Sequence, residues 1–303
     1  MSIGIASHTV LDSIQDGNGI VTEHLGGPPC YCGLTSKRFG FDVSLATKVG
    51  RDFPAEKIEF LNNSGLKINN DQIVDAETTR FFIMSQNGTL GRQLFLRSKC
   101  QALSLQDIRD IQVDCWLVSP VVDEIPSDVL QAIVNDGGNK NFVMLDPQGY
   151  MRIPEKGGSI KLHSKLDLHL SGINAIKVDT DELMALTETR GVRGMQILQK
   201  KGIEFVISTE WLVVHLLHRQ THFWIKTKQV DTLDSTGGGD ILTAAFCCAY
   251  IKEKDPLWAL CFAAGSLQAS LETRMMGLLK IPSRSKIEEN ASYYYSTVEF
   301  DHI

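Results

Sequence analysis

The residues best suited to chemistry stand together at 231–251, DTLDSTGGGDILTAAFCCAYI. Gly237, Gly238 and Gly239 run directly into a segment that is apolar on nearly every helical face and about 20 Å long by helical rise. A helix of that composition is buried on all sides. Its first N–H groups have no acceptor inside the helix, and the aligned peptide dipoles place roughly half a positive charge at that end. Glycines let an anion reach those amides without meeting a side chain. Asp240 at the same terminus brings a carboxylate to the same spot. Two readings follow from these residues alone: a site for a phosphate or developing oxyanion, or a helix start capped by Thr236 or Asp240 in which the glycines merely form a turn.

Other phosphate-binding loops are absent. No Gly-Lys pair occurs, so there is no GxxxxGK[ST] loop, and Gly17-Asn18-Gly19 lacks the third glycine of GxGxxG. Thirty Lys plus Arg against 36 Asp plus Glu give a net charge of -6 with no basic patch, which argues against a nucleic-acid partner. The longest apolar run, 241–251, is shorter than the roughly 20 residues of a membrane span, and the N-terminus does not read as a signal peptide. Seven cysteines without metal or disulfide spacing read as reduced thiols, giving a cytoplasmic expectation. His8 lies near Asp12, and His215, His218 and His222 lack ligand spacing; all four are expected to be surface or satisfied histidines.

The elements that must hold the glycine turn alternate along the chain. Strands are predicted at 43–49, 115–119, 141–145, 175–178 and 205–208, and helices at 54–63, 127–135 and 180–187. Strand followed by helix, repeated, predicts a parallel sheet covered on both faces. Segments 78–85 and 91–97 flank Asn87-Gly88, a tight-turn dipeptide, and with 19–25 they predict a small second sheet. From about Leu233 onward the pattern is helical, at 239–252, 256–271 and 283–295.

The run Asp234-Ser235-Thr236-Gly237-Gly238-Gly239-Asp240 resembles the DTxGAGD signature of the ribokinase, or PfkB, family of carbohydrate kinases, with Gly238 where alanine is usual. The resemblance extends over most of the chain. Gly26-Gly27 is similar to the family's N-terminal GG motif and Val49-Gly50-Arg51-Asp52 to its VGxD segment. Gly277 and Ile281-Pro282 fall where members carry a glycine loop and an IP before the last helix. The resemblance implies a ribokinase-like three-layer α/β/α fold with a mostly parallel sheet and a small β-sheet lid. The whole of 1–303 would form one kinase domain, the lid coming from about 17–26 and 75–99. It implies ATP and Mg²⁺ as cofactors and leaves a monovalent cation open. Asp240 would be the base that deprotonates the acceptor hydroxyl, with the amides of Gly237, Gly238 and Gly239 stabilising the transferred phosphoryl group. A carboxylate at a positive helix end is expected to stay ionised near neutral pH.

Asp179 and Glu182 resemble the family's NxxE motif, with aspartate for asparagine, and would place the metal and phosphates largely through water. The same four residues also have the form of a capping box. Thr209, Thr236 and Gly277 would approach the nucleotide, although the family's TxGxxG segment is replaced here by Thr209-Glu210-Trp211-Leu212-Val213-Val214. Trp211 is expected in the core. Asp12, in the loop after the first strand, with Gly26 and Gly27, would bind the substrate, and the family asparagine falls at Tyr31. Asp146-Pro147-Gln148-Gly149-Tyr150-Met151-Arg152 resembles a DxQGxxR variant of archaeal myo-inositol kinase-like members. It adds Gln148 and Arg152 to the substrate site and directs the expectation toward a cyclitol. Glu124 is either a further substrate ligand or a helix-start carboxylate, and Arg92 and Arg97 are either solvated or brought in by the lid. Two other functions stay open, a kinase for a nucleoside, ribose or fructose, and a non-catalytic sensor of nucleotide or sugar. A homodimer paired through the lid is expected by analogy only.

Overall fold

The computed structural model describes residues 1–15, 19–85, 92–135, 141–232 and 234–303, without the side chains of Ser85 and Arg92. The expected Asn87-Gly88 turn, together with Gly17, Asn18, Gly91 and Leu233, lies outside these residues.

Among the described residues the central sheet has nine strands. Asp42–Ala46, Ser2–Ala6, Cys115–Val118, Phe142–Leu145, Ala175–Asp179 and Phe205–Glu210 lie side by side in parallel. Val213–His218, Thr221–Lys226 and Glu299–His302 then extend one edge antiparallel. CWLV and FVML are buried at every position, as strands covered on both faces require. Alternation divides the core in two. Ala175, Phe205 and Ile207 face the helices Pro28–Arg38, Gly238–Glu253, Pro256–Glu272 and Arg284–Thr297. Ile176, Val178 and Val206 face Ser127–Asn135, Thr180–Thr187 and Gly191–Lys200. The fold is therefore the expected three-layer α/β/α arrangement.

The smaller sheet runs in the order Val21–Gly26, Val10–Gln15, Arg80–Ser85, Arg92–Ser98. Its second strand was not anticipated, so Asp12 is a strand residue opposite His24 and Phe81, and not a loop residue. A further ribbon pairs Arg152–Pro154 with Ile160–Leu162. It joins the small sheet where Leu96 N–H donates to Gly158 O at 2.7 Å. The strand expected over 43–49 ends at Ala46 and resumes only as Val49–Gly50.

Helix Gly238–Glu253 is buried on nearly every face, and its Ala244, Ala245, Cys247 and Cys248 are small enough for close approach of its neighbours. All seven cysteines are unpaired and buried. Among the described residues no helix is long and apolar enough to cross a membrane.

Candidate active site

Parallel strands end where the next connection begins, and ligands in open α/β sheets collect beyond those carboxyl ends. Asp146 follows Phe142–Leu145 directly, and Asp179 is the last residue of Ala175–Asp179. Both line a cavity of about 790 Å³ with Asp12, Gly27, Gln148, Arg152, Lys177, Glu182, Thr236, Gly237, Gly239 and Asp240. The small sheet and the 152–162 ribbon roof it with Phe81, Ile83, Phe95, Ile160 and Leu162.

The glycine turn is built as an open helix start. Gly237 takes a left-handed φ of 74° at the N-cap position, and no side chain caps the helix. Capping by Thr236 or Asp240 is thus not what the structure shows. Gly238 N–H donates to Ser235 O at 3.2 Å and Ile241 N–H to Gly237 O at 2.9 Å. Among the described residues the amides of Gly239 and Asp240 make no such bond, and both residues line the cavity. Gly238 lies outside it, so of the three glycines only Gly237 and Gly239 border the cavity.

Asp234 anchors the loop from behind. Its carboxylate accepts Thr236 N–H at 2.7 Å, Gly277 N–H at 3.0 Å and the Lys280 ammonium at 2.9 Å. Burial pushes its pKa up, but the Lys280 charge and these donors hold it below the usual carboxylate range. Gly277 therefore braces the turn with its amide and does not line the cavity. Thr209 is likewise a ladder residue, opposite Asp179 and Val214.

Asp240 is 7% exposed, and burial raises its pKa from 3.8 to about 7. The Asp146 and Asp12 charges push the same way, against Lys177 and Arg152. The carboxylate expected to stay ionised near neutral pH is instead balanced there between its two forms, because burial disfavours its charge. A base balanced near the working pH combines ionised population with proton affinity.

Asp12, in the small sheet itself, is buried facing the cavity, and a Cβ at Gly26 would stand 2.0 Å from its Oδ2. Gly26 thus makes room for the carboxylate without itself lining the cavity. Arg152 donates to Val121 O at 2.8 Å and to Gln148 Oε1 at 2.9 Å, and it lies 5.7 Å from the Phe81 ring centroid. It is a braced cavity residue.

Glu124 is corrected. Its fully buried carboxylate accepts the amides of His8, Val121 and Val122 and the Ser7 hydroxyl, so it shapes the 119–122 turn, whose Val121 lines the cavity, and does not line the cavity itself. Arg97 lies over Phe82 and Phe95 outside the cavity. Trp211 is corrected too: at 59% exposed, it sits on the turn between Phe205–Glu210 and Val213–His218. His8 is satisfied by Thr79 Oγ1 and Gln101 O, both at 2.8 Å. His215 pairs with His222 at 3.0 Å, and His218 with Glu204 at 3.2 Å.

Asp179 and Glu182 do form a capping box. Asp179 Oδ1 accepts Asp181 N–H at 2.9 Å and Glu182 N–H at 2.8 Å, while Glu182 Oε2 accepts Asp179 N–H at 2.7 Å. Both also line the cavity, so capping does not withdraw them from it. Among the described residues no three His, Cys, Asp or Glu side chains form a metal cluster. Mg²⁺ retains several waters and needs only one or two carboxylates alongside substrate phosphates, a demand these two residues fit.

Residues 3–278 match the model of the pfkB family carbohydrate kinases. No curated protein matches the sequence. Among solved structures the chain is similar to a pyrophosphate-dependent kinase in the ribokinase family complexed with a pyrophosphate analog and myo-inositol. They share 22% identity with a TM-score of 0.79 over 95% of this chain and 99% of that one. It is also similar to a ribokinase from Thermotoga maritima, at 18% identity and a TM-score of 0.75 over 96% and 99% of the two chains. The ribokinase of Arabidopsis thaliana complexed with ribose and ATP gives 16% identity and 0.69 over 96% and 98%. At these identities the likeness establishes the fold.

Proposed function

The chain belongs to the pfkB family of carbohydrate kinases and is a sugar or polyol phosphotransferase; from that premise we propose that it phosphorylates a hydroxyl of myo-inositol or a related cyclitol. The observation that carries this reading is the single cavity joining Asp12, Asp240 and the open helix start. Asp240 takes the hydroxyl proton. The Gly239 and Asp240 amides donate hydrogen bonds to the phosphoryl oxygens as the group passes from donor to acceptor. Asp12, Gln148 and Arg152 offer acceptors and donors to several hydroxyls, while Phe81, Ile83 and Phe95 cover an apolar C–H face. A cyclitol presents both surfaces. Asp179 and Glu182 would hold Mg²⁺ through water, and the bound ion supplies charge neutralisation at the donor phosphates. The unpaired thiols suit a cytoplasmic enzyme.

ATP is the donor proposed on family grounds. One observation favours pyrophosphate as a second donor: the glycine segment expected near the base is a two-residue turn bearing an exposed Trp211, and one of the similar structures is a pyrophosphate-dependent kinase.

Both donors belong in one test, a coupled assay of ADP or phosphate release with cyclitols, ribose, fructose and nucleosides as acceptors. The expected result is a kcat/KM for a cyclitol at least about tenfold above the others, because a site built for hydroxyls penalises misplaced ones. A preference for ribose, fructose or a nucleoside would replace the cyclitol assignment. Ligand binding with no turnover over hours would replace the enzyme with a sensor.

A further inference from the structure

Lys177 stands two residues before Asp179 in Ala175–Asp179, on the sheet face covered by helix Gly238–Glu253. Its side chain is 10% exposed and lines the cavity. The ammonium lies 3.2 Å from Asp146 Oδ2 and 4.0 Å from Glu182 Oε2. A Cβ at Gly239 would come within 3.2 Å of it, so the lysine reaches the backbone of the helix start itself. A cation beside a positive helix terminus is an unfavourable juxtaposition unless an anion occupies the space between them. Here an ammonium, the amides of Gly239 and Asp240 and the helix dipole converge on one wall of the cavity.

We infer that Lys177 is a catalytic residue that contacts the migrating phosphoryl group, and that Asp146 is the positioning residue that holds its ammonium against the helix start. The inference rests on the kinase reading. In the step, the bond from phosphorus to the donor oxygen breaks and one to the acceptor oxygen forms. The acceptor proton passes to Asp240, and Lys177 keeps its three protons throughout. Its charge serves the equatorial oxygens, where phosphoryl transfer concentrates negative charge.

The test compares Lys177→Met with the charge-balanced double variant Lys177→Met/Asp146→Asn. Both are expected to lose roughly 10²- to 10³-fold in kcat with the acceptor KM little changed, the scale of removing one oxyanion-stabilising group. Lys177→Ala is expected to regain part of its rate with added ethylamine. If Lys177 only balances Asp146 in the fold, the double variant recovers turnover to within about tenfold of wild type, and the inference is overturned. Calorimetry with pyrophosphate alone gives a reading independent of turnover. Wild type is expected to bind at least about tenfold more tightly than Lys177→Met, the scale of a charge-assisted hydrogen bond. Equal pyrophosphate affinity overturns the role even for a wild type that phosphorylates no acceptor. A large difference in that case leaves Lys177 in place and removes the kinase reading instead.

Discussion

Replacing Asp240 with asparagine is expected to lower phosphoryl transfer by about 10²- to 10⁴-fold, the usual effect of removing a general base. The same substitution is expected to raise the melting temperature at pH 8. The native carboxyl binds its proton more tightly than an ordinary aspartate near 3.8, because burial and the neighbouring Asp146 disfavour its charge. Ionising it therefore destabilises the fold progressively as pH rises from that value through about 7. Asparagine has the same shape and no charge to desolvate. At pH 5 the carboxyl is already protonated in the native state, and the stability gain should shrink. Activity lost and stability gained at one residue mark a site held against its own folding preference. Assays and thermal melts at pH 5 and pH 8 check both halves. A variant that turns over within tenfold of wild type removes Asp240 from the chemistry.

Gly237→Ala is the second large effect. The residue has a φ of 74°, and an added Cβ would meet the Tyr31 ring at 2.5 Å. Tyr31 is 1% exposed, packs with Ile241 and Ile281, and lies 5.5 Å from the Lys280 ammonium, so it has little room to move aside. The left-handed conformation alone costs an alanine roughly 1–2 kcal/mol. Relief of the clash must tilt the turn that presents the Gly239 and Asp240 amides. A loss of roughly 10²-fold or more in kcat follows if a single oxyanion donor is misaligned. Gly238→Ala is the control. Its φ is not positive, its Cβ would meet only the flexible Leu267 Cδ1 at 3.0 Å, and its amide faces Ser235. That variant is expected to stay within about threefold of wild type. Equal losses in the two variants would mean that the turn responds to bulk anywhere and that the orientation of its amides is not what matters.

Residues 237–240 and the alternating strands are legible in the sequence because each carries a local signal, glycine next to an all-apolar helix or a short buried run. Lys177 carries none. It sits in AIKVD as an ordinary strand-end lysine, and only the packing of a distant helix across the sheet brings Gly239 to its ammonium. Glu124 is open to misreading for the opposite reason: its neighbours suggest a helix start, while two of its partners, Ser7 and His8, come from the residues just after the first strand, more than a hundred positions away. Trp211 reads as core because large aromatics are usually buried. The turn that exposes it has no glycine or asparagine to announce it, and Leu212 takes the left-handed φ of 57° instead. The 152–162 ribbon did leave a signal in Gly157-Gly158, both at positive φ, which would have supported a second hairpin beside the roof.

The pH dependence of kcat/KM for the preferred acceptor tests the central claim most directly, since it reports the ionisation of the free enzyme's base. Wild type should show an acid limb bending near pH 7, where the buried Asp240 carboxyl gives up its proton. The residual activity of Asp240→Asn should lack that limb. An unchanged limb in the asparagine variant, or a wild-type profile flat from pH 5 to 8, would contradict proton removal by the carboxylate at the open helix start.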